Sequence, residues 1–323
     1  MLPRMGLGCM NLSHAYGIPP SEDEGLALLR AALDSGVTHL DTATLYGGGR
    51  NEELVGKALK GRRDEVVLAS KGGLAMVGGV RVIDGRPETL RAQVDASLAR
   101  LGVDHIDLYY LHRWDKKVPI GDSVRALSDA VEAGKIGAIG LSEVSVARLR
   151  EAQDVAPIAA VQNEYSLWSR NPELGMLEET RTSNVALVAF SPVARGFLSD
   201  SVGDPSDLVE KDIRRAMPRF LPENWPANAA LLPAWRELAA DAGCTPAQLA
   251  LAWLLSRGEH VVPIPGTTSI DHVRENEAAV VMSVDEGLLS RAGELIDTTT
   301  VSGPRYAPGP ASDVDTESFE DAA

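Results

Sequence analysis

Four side chains of different chemical type follow short apolar runs in the first third of this sequence. Asp41 ends one run and Tyr46 comes shortly after it, Lys71 ends the next run, and His112 directly follows a third. They supply a carboxylate, a phenol, an ammonium group and an imidazole. If the runs are neighbouring parallel strands, their carboxyl ends meet at one rim and the four groups lie together.

Such a set is suited to passing a hydride and a proton between a carbonyl and an alcohol. A free phenol is a poor acid at neutral pH, and an adjacent ammonium group should lower its pKa. The hypothesis therefore makes Tyr46 the general acid/base and Lys71 the group that tunes it. Asp41 would keep the buried Lys71 charged, and a neutral His112 would orient the carbonyl oxygen.

Each of these residues also has an ordinary structural interpretation. Asp41 could cap a turn, Tyr46 could be a loop aromatic, and Lys71 could be a solvated strand end. His112 alone could be a hydrogen-bonded core histidine. Their joint occurrence on three consecutive predicted strand ends favours the catalytic interpretation over four separate structural ones.

Eight apolar or β-branched runs alternate with amphipathic stretches along the chain. The runs cover residues 6–10, 37–41, 66–71, 106–111, 136–141, 159–163, 185–190 and 261–265. Most lack polar alternation, which is typical of strands buried on both faces. Helical patterns cover residues 22–35, 87–101, 122–133, 145–153, 227–242 and 245–256. The sequence predicts an α/β fold, a single-domain (β/α)8 TIM barrel over residues 1–300.

A doubly wound Rossmann sheet is the alternative fold, but no predicted strand in the first third is followed by G-x-G-x-x-G and a helix. Two segments fall outside the repeating pattern. A long Gly-, Pro-, Asp- and Arg-rich segment follows the seventh strand, from Phe190 to about Asn224, and we expect it to cover a cofactor. Residues 301–323 form an acidic, Pro- and Gly-containing tail whose composition predicts disorder.

The composition limits the binding partners and the cellular compartment that can be expected for this protein. The chain has 323 residues, with 46 acidic and 31 basic side chains that give a net charge of −15. Such a surface repels nucleic acid and anionic membranes. The two cysteines, the absence of a signal-peptide pattern and the absence of a long apolar run predict a cytoplasmic protein. The six histidines are scattered without ligand spacing, so no metal site is predicted.

Several motifs around these residues resemble those of the aldo-keto reductase superfamily. The chain reads GVTHLDTA from residue 36, YG at 46–47 and NEELVG at 51–56. Lys71 after an apolar strand and IDLYYLH at 106–112 match further motifs of the superfamily. Within it, GLSEV at 140–144 and QNEYSLWSR at 162–170 resemble the branch that includes pyridoxal reductase-like and perakine reductase-like enzymes.

The resemblance implies NADP(H) bound across the barrel mouth, with NAD(H) less favoured, and a small carbonyl or alcohol substrate on a monomer or homo-oligomer. The implied cofactor residues are Ser142 and Gln162 at the carboxamide, Phe190 on the nicotinamide ring, Ser191, Pro192 and Val193 along the pyrophosphate with Arg195 nearby, and Gly266, Thr267, Thr268, His272, Glu275 and Asn276 around the adenosine and its 2′-phosphate.

The chain departs from the superfamily pattern at a few positions. Glu143 stands where relatives carry asparagine, and Ser269 and His272 stand where relatives that prefer NADP often have lysine or arginine. Arg274 is the candidate that could supply the positive charge missing at these two positions. Two other functions share the fold: an NADP(H)-binding regulatory subunit of the potassium-channel β type, and an aldolase in which Lys71 forms a Schiff base.

Overall fold

Eight parallel strands form one closed sheet in the computed structural model, which describes residues 2–319. The ten strands are β1 (Leu7–Gly8), β2 (His39–Asp41), β3 (Val67–Gly72), β4 (Leu74–Val77), β5 (Val80–Ile83), β6 (Ile106–Leu111), β7 (Ile136–Ser142), β8 (Ile158–Glu164), β9 (Ala186–Phe190) and β10 (Val261–Pro263). The sheet order is β1-β2-β3-β6-β7-β8-β9-β10. Backbone hydrogen bonds from Gly6 N to Pro263 O (3.0 Å) and from Gly8 N to Pro265 O (3.1 Å) join its two edges. The predicted (β/α)8 barrel is confirmed.

The helices lie between the strands as the sequence pattern indicates. They are α1 (Glu22–Asp34), α2 (Arg50–Leu59), α3 (Pro87–Leu101), α4 (Ile120–Glu132), α5 (Val146–Gln153), α6 (Met176–Thr182), α7 (Trp225–Ala229), α8 (Leu232–Asp241), α9 (Pro246–Leu255), α10 (Ile270–Ala278), α11 (Glu286–Leu295) and α12 (Pro308–Ala311). Capping boxes begin two of them, at Ser21 before α1 and at Thr245 before α9. The predicted helix 227–242 is wrong as one continuous element. It restarts at α8, where Pro233 in the first turn lacks the amide that an uninterrupted helix would need.

The two faces of the barrel strands pack against different partners. Leu68, Leu141 and Leu187 belong to the large apolar cluster that also contains the buried faces of the helices. Ala69, Leu108 and several residues at alternate strand positions form a second cluster, which occupies the barrel interior. Both faces of the strands are therefore buried away from water, which explains why the strands appear in the sequence as unbroken apolar runs.

A short hairpin that no sequence pattern predicted follows the third barrel strand. Strands β4 and β5 pair antiparallel, and their turn contains Gly78 and Gly79 with φ of 59° and 83°. Two successive residues in the left-handed region are what a type I′ hairpin turn requires. Met76, Val77 and Val80 are exposed on this hairpin, so it lacks the buried face that would have marked it as a strand pair.

No single helix within residues 2–319 is long and apolar enough to cross a membrane. Two helical stretches, Trp225–Asp241 and Pro246–Leu255, reach the length and apolar composition of a membrane span only when they are counted together. The chain bends by 76° between them. Most side chains of α9 are buried in the protein core.

Residues 301–319 of the acidic tail lie against the barrel mouth, in contrast to the predicted disorder. Arg305 forms a buried ion pair with Glu143 at the end of β7. The carboxylate of Asp315 accepts a hydrogen bond from Ser145 Oγ (2.8 Å), and that of Glu317 accepts one from Val146 N (2.7 Å). These carboxylates meet the free amides and positive end of the α5 dipole, so the acidic composition supports docking here. Residues 320–323 lie outside the described part of the chain.

The contact between α2 and α3 gives a test of the packing that holds the loop after β2. A Cβ atom on Gly56 would lie 2.3 Å from the carbonyl oxygen of Leu101, a backbone atom that has no room to move away. We expect Gly56→Ala to lower the free energy of unfolding by about 1–3 kcal/mol despite the better helix propensity of alanine. Urea unfolding measures the change.

Gly203→Ala is the matched control, because a Cβ atom there meets no heavy atom within 4 Å. Equal stability of the two variants would show that the close contact between α2 and α3 does not exist.

Candidate active site

A buried ion pair lies at the carboxyl ends of β2 and β3. Lys71 Nζ donates to Asp41 Oδ1 and also to the carbonyl oxygen of Thr42 at 2.9 Å. The Lys71 side chain has no exposed surface, and that of Asp41 has almost none. Burial alone would favour the neutral amine, but the Asp41 charge and the hydrogen bonds to Asp41 and Tyr46 raise the pKa of Lys71. Lys71 therefore stays cationic, as the sequence predicted.

Tyr46 reaches this pair from the short turn that follows β2. Gly47 and Gly48 have φ of 59° and 66°, so the chain reverses directly after Tyr46. Lys71 Nζ lies 3.3 Å from the Tyr46 hydroxyl. Burial raises the pKa of Tyr46, and the Lys71 charge only partly offsets this effect. The Lys71 ammonium group thus lowers the pKa of Tyr46 as predicted, but desolvation outweighs it, so that pKa lies above its ordinary value.

His112 lies with its ring edge-on to Tyr46, the two centroids 5.9 Å apart. Burial, together with the nearby positive charges of Arg113 and Lys71, lowers the pKa of His112 well below its ordinary value. The imidazole is therefore neutral at pH 7, as predicted from the sequence. Its Nδ1 atom is buried and has no hydrogen-bond partner within residues 2–319.

One cleft at the barrel mouth, with a volume of about 630 Å³, brings the predicted site residues together. The predicted residues that line it are Asp41, Tyr46, His112, Ser142, Gln162, Phe190, Ser191, Pro192, Val193, Arg195, Gly266, Thr267, Thr268, His272, Glu275 and Asn276. Lys71 is not among the residues that line the cleft, but it contacts two that are, Asp41 and Tyr46. The segment after β9 covers part of the cleft through Ser199, Ile213 and Met217.

The end of the cleft beside Tyr46 carries the two predicted carboxamide ligands. Ser142 and Gln162 are directly paired residues of β7 and β8, which places their side chains next to each other at the rim. Gln162 Nε2 donates to Asp41 Oδ2 at 2.8 Å. This bond fixes the amide and leaves Gln162 Oε1 as an acceptor for a ligand. Phe190 lines the same cleft from the end of β9.

Arg195 lines the cleft, but its charged group already has partners within the protein. Its guanidinium forms a buried ion pair with Glu164 at 2.7 Å and donates to the Tyr16 hydroxyl at 2.9 Å and the Tyr306 hydroxyl at 3.3 Å. The charge of Arg195 is therefore already balanced. Its side chain ties the segment after β9 to the end of β8 and to the C-terminal segment.

The far end of the cleft lies between β10 and α10. Thr267 Oγ1 accepts from Ser269 N at 3.0 Å and lies 3.2 Å from His272 Nδ1. Arg274 points away from this end, because it is exposed and pairs with Asp271. His272 is thus the nearest basic side chain of this helix to the cleft, and Arg274 does not take the compensating position that the sequence left open.

Two polar residues of the NEELVG motif support the site in a way that no sequence pattern indicated. Asn51 Nδ2 donates to Cys9 O at 2.8 Å and to Ser13 Oγ at 2.7 Å, and its Oδ1 accepts from Thr42 Oγ1 at 2.6 Å. Glu52 accepts from Ser70 Oγ at 2.6 Å. Both side chains are buried and tie α2 to the loop after β1 and to the ends of β2 and β3.

Sequence analysis also missed several residues of the cleft. Arg113, Arg81, His14 and Tyr306 line it beside the predicted residues. Arg113 directly follows His112, so its position at a predicted strand end was an available signal. The others come from a loop, the unpredicted hairpin and the tail, and no local pattern marks them.

An eight-stranded parallel barrel with a buried lysine–carboxylate pair beside a tyrosine defines a (β/α)8 protein whose chemistry lies at the strand ends. Comparison with known families agrees with this class. The chain belongs to the aldo/keto reductase family, whose model matches residues 4–293. The resemblance seen in the sequence motifs is confirmed, and the family is one of oxidoreductases.

Relatives match the chain over nearly its whole length. The aldo-keto reductase yakc [NADP(+)] of Schizosaccharomyces pombe is 40% identical over 320 residues, 97% of this chain and 94% of that protein. The structure of a glycerol dehydrogenase from Gluconobacter oxydans has 29% identity and a TM-score of 0.85, covering 95% of this chain and 94% of that one. An aldo/keto reductase from Klebsiella pneumoniae in complex with NADP and acetate has 27% identity and a TM-score of 0.71, covering 95% of both chains.

The ion pair of Glu164 predicts a dependence of stability on acid pH. Burial favours the protonated acid, but the charges of Arg195, Arg305 and Arg219 outweigh it and lower the pKa of Glu164 to about 2. A carboxyl whose pKa is depressed by folding stabilises the protein above its unfolded pKa and loses that effect as pH falls. Between pH 7 and pH 3, wild type should lose about 2 kcal/mol more unfolding free energy than Glu164→Gln.

Urea unfolding at the two pH values measures this difference. Glu294→Gln, which changes an exposed carboxylate, should follow wild type. Parallel losses in wild type and Glu164→Gln would contradict a depressed pKa for Glu164.

Proposed function

We propose that this protein is an NADP(H)-dependent oxidoreductase that interconverts small aldehydes or ketones with alcohols. The observation that carries the proposal is the Lys71–Asp41 pair with Tyr46 at 3.3 Å from Lys71 Nζ, beside a neutral histidine in an open cleft. This arrangement offers a phenolic proton, a fixed cation behind it and a hydrogen-bonding group next to it.

The cleft is lined by polar residues that could bind the parts of a dinucleotide. Ser142 and Gln162 would hold the carboxamide, Phe190 would lie on the nicotinamide ring, and the strand-end residues 191–193 would follow the pyrophosphate. Gly266, Thr267 and Thr268 precede α10 and would take the adenosine end, with His272 toward the 2′-phosphate. The names of the yeast and Klebsiella relatives, which include NADP, support this cofactor over NAD.

When bound, the reduced cofactor supplies the hydride for carbonyl reduction. Tyr46, protonated at neutral pH because burial raises its pKa, donates its proton to the carbonyl oxygen. The Lys71 ammonium group stabilises the phenolate that this step leaves behind. A neutral His112 donates a hydrogen bond that holds the carbonyl oxygen beside Tyr46. Asp41 preserves the charge of Lys71 throughout.

The other two functions of this fold have less support. Lys71 is fully buried and donates to Asp41, Thr42 and Tyr46, so it does not present a free amine for a Schiff base. The relatives compared above carry the names of reductases and a dehydrogenase, which favours an enzyme over a channel subunit. A cytoplasmic location fits the two unpaired cysteines, Cys9 and Cys244, which are typical of a reducing compartment.

Removal of the phenolic hydroxyl tests the proposal directly. Tyr46→Phe should reduce the rate of aldehyde-dependent NADPH oxidation by about 10²- to 10⁴-fold, because the proton donor is lost. Binding of NADPH, followed by fluorescence titration, should be nearly unchanged. Tyr109→Phe is the control, since it removes a buried hydroxyl that lies 3.2 Å from Ser97 Oγ. Full activity in Tyr46→Phe would overturn the assignment.

The pH dependence of alcohol oxidation tests the role of Lys71. Oxidation needs the Tyr46 phenolate, and the pKa of Tyr46 is raised, so the wild-type rate should still be rising at pH 10. Lys71→Met removes the charge and hydrogen bond that lower this pKa. The profile should then move to higher pH, with a loss of about 100-fold or more at pH 8.

The profile is measured from pH 7 to pH 10.5 with NADP+ and a secondary alcohol. Lys57→Met, which removes an exposed lysine paired with Glu22, should keep the wild-type profile. An unshifted profile in Lys71→Met would show that Lys71 does not tune the phenol.

A further inference from the structure

The cleft contains a cationic side chain that carbonyl reduction does not use. Arg113 directly follows His112, lines the cleft and is only 9% exposed. Its Nη1 donates to His112 O at 2.6 Å and to Ser142 Oγ at 3.1 Å. Its Nε is buried without a partner in the described part of the chain. Within residues 2–319, Nη1 alone makes the hydrogen bonds of this guanidinium, so the edge formed by Nε and Nη2 makes none.

The charges around the cleft leave Arg113 unneutralised. Arg195 is paired with Glu164 and Arg214 with Asp212. The Asp41 carboxylate is paired with Lys71. No carboxylate within residues 2–319 lies at ion-pair distance from Arg113. A nearly buried guanidinium without a counter-ion is costly, and in a protein of net charge −15 its retention in the cleft points to an anionic ligand.

A second guanidinium, that of Arg81, also lines the cleft. Arg81 reaches it from the hairpin β4–β5 and pairs with Asp313 at 2.8 Å. Burial lowers the pKa of Arg81, Asp313 opposes that effect, and the charge of Arg113 lowers it further, so the two guanidiniums are close enough to repel each other. Asp313 thus neutralises Arg81 alone, and an anion placed beside Arg113 would relieve the repulsion between the two cations.

We propose that this site takes aldehydes or ketones that carry a carboxylate, held by the unneutralised guanidinium of Arg113 with support from Arg81. The proposal rests on the reductase function above and specifies its substrate class. A guanidinium is a planar, permanently charged group whose N–H donors form strong charge-assisted hydrogen bonds with carboxylate oxygens. Because Arg113 adjoins His112 in sequence and contacts Ser142, the bound anion would fix the carbonyl group at a defined distance from Tyr46.

Two aldehydes that differ only in charge test the proposal. The kcat/KM values for NADPH-dependent reduction of 4-carboxybenzaldehyde and methyl 4-formylbenzoate are measured for each variant. In Arg113→Gln, the acid-to-ester ratio of kcat/KM should fall by about 10- to 100-fold through a higher KM for the acid. A merely structural role through Ser142 would affect both aldehydes alike. Arg113→Lys should retain part of the preference, and the exposed Arg291→Gln should keep the wild-type ratio.

Further readouts separate this proposal from the reductase function. If neither aldehyde oxidises NADPH, the proposed function fails, and calorimetric titration of benzoate decides the anion site by itself. Binding to wild type that is lost in Arg113→Gln supports the site, and absence of binding to wild type overturns it. If Arg113→Gln does not fold, ionic strength is varied with wild type. The KM for the acid should then rise with salt while that for the ester stays constant, and equal behaviour overturns the proposal.

Discussion

The Lys71–Asp41 ion pair is the interaction on which the rest of the site depends. Two opposite charges without solvent are tolerated only when their remaining hydrogen-bonding capacity is also satisfied. Here Thr42 O and the Tyr46 hydroxyl lie within hydrogen-bond reach of the amine, and Gln162 donates to the carboxylate. Removal of any one partner leaves a polar group in a dry interior, so the strands that supply them are held to one register.

That register comes from the barrel itself. Asp41 pairs with Ala69 across β2 and β3, and Lys71 pairs with Tyr110 across β3 and β6. A parallel sheet places the ends of successive strands along one rim, and the closed barrel leaves no free edge along which a strand could slip. The chemistry is therefore positioned by interior packing, while the loops and the tail determine what reaches it.

The sequence allowed prediction of the features that depend on local pattern. Buried strands appear as apolar runs, and strand-end residues such as Asp41, Lys71 and His112 follow directly from them. Features set by pairing between distant residues could not be predicted. The ion pair of Arg195 with Glu164 has no local signal in the sequence, and neither has the docking of the acidic tail. The raised pKa of Tyr46 depends on burial, which only the folded chain defines.

The C-terminal segment has a consequence for how such a protein can diversify. Tyr306, Pro310 and Val314 line the cleft, yet they lie beyond the eight strand–helix units and are held mainly by ion pairs and helix-end hydrogen bonds. Changes within residues 301–319 could thus reshape one wall of the cleft without interfering with barrel assembly. Part of the cleft wall is therefore encoded outside the strands that carry Asp41, Lys71 and His112, and that part can change without altering them.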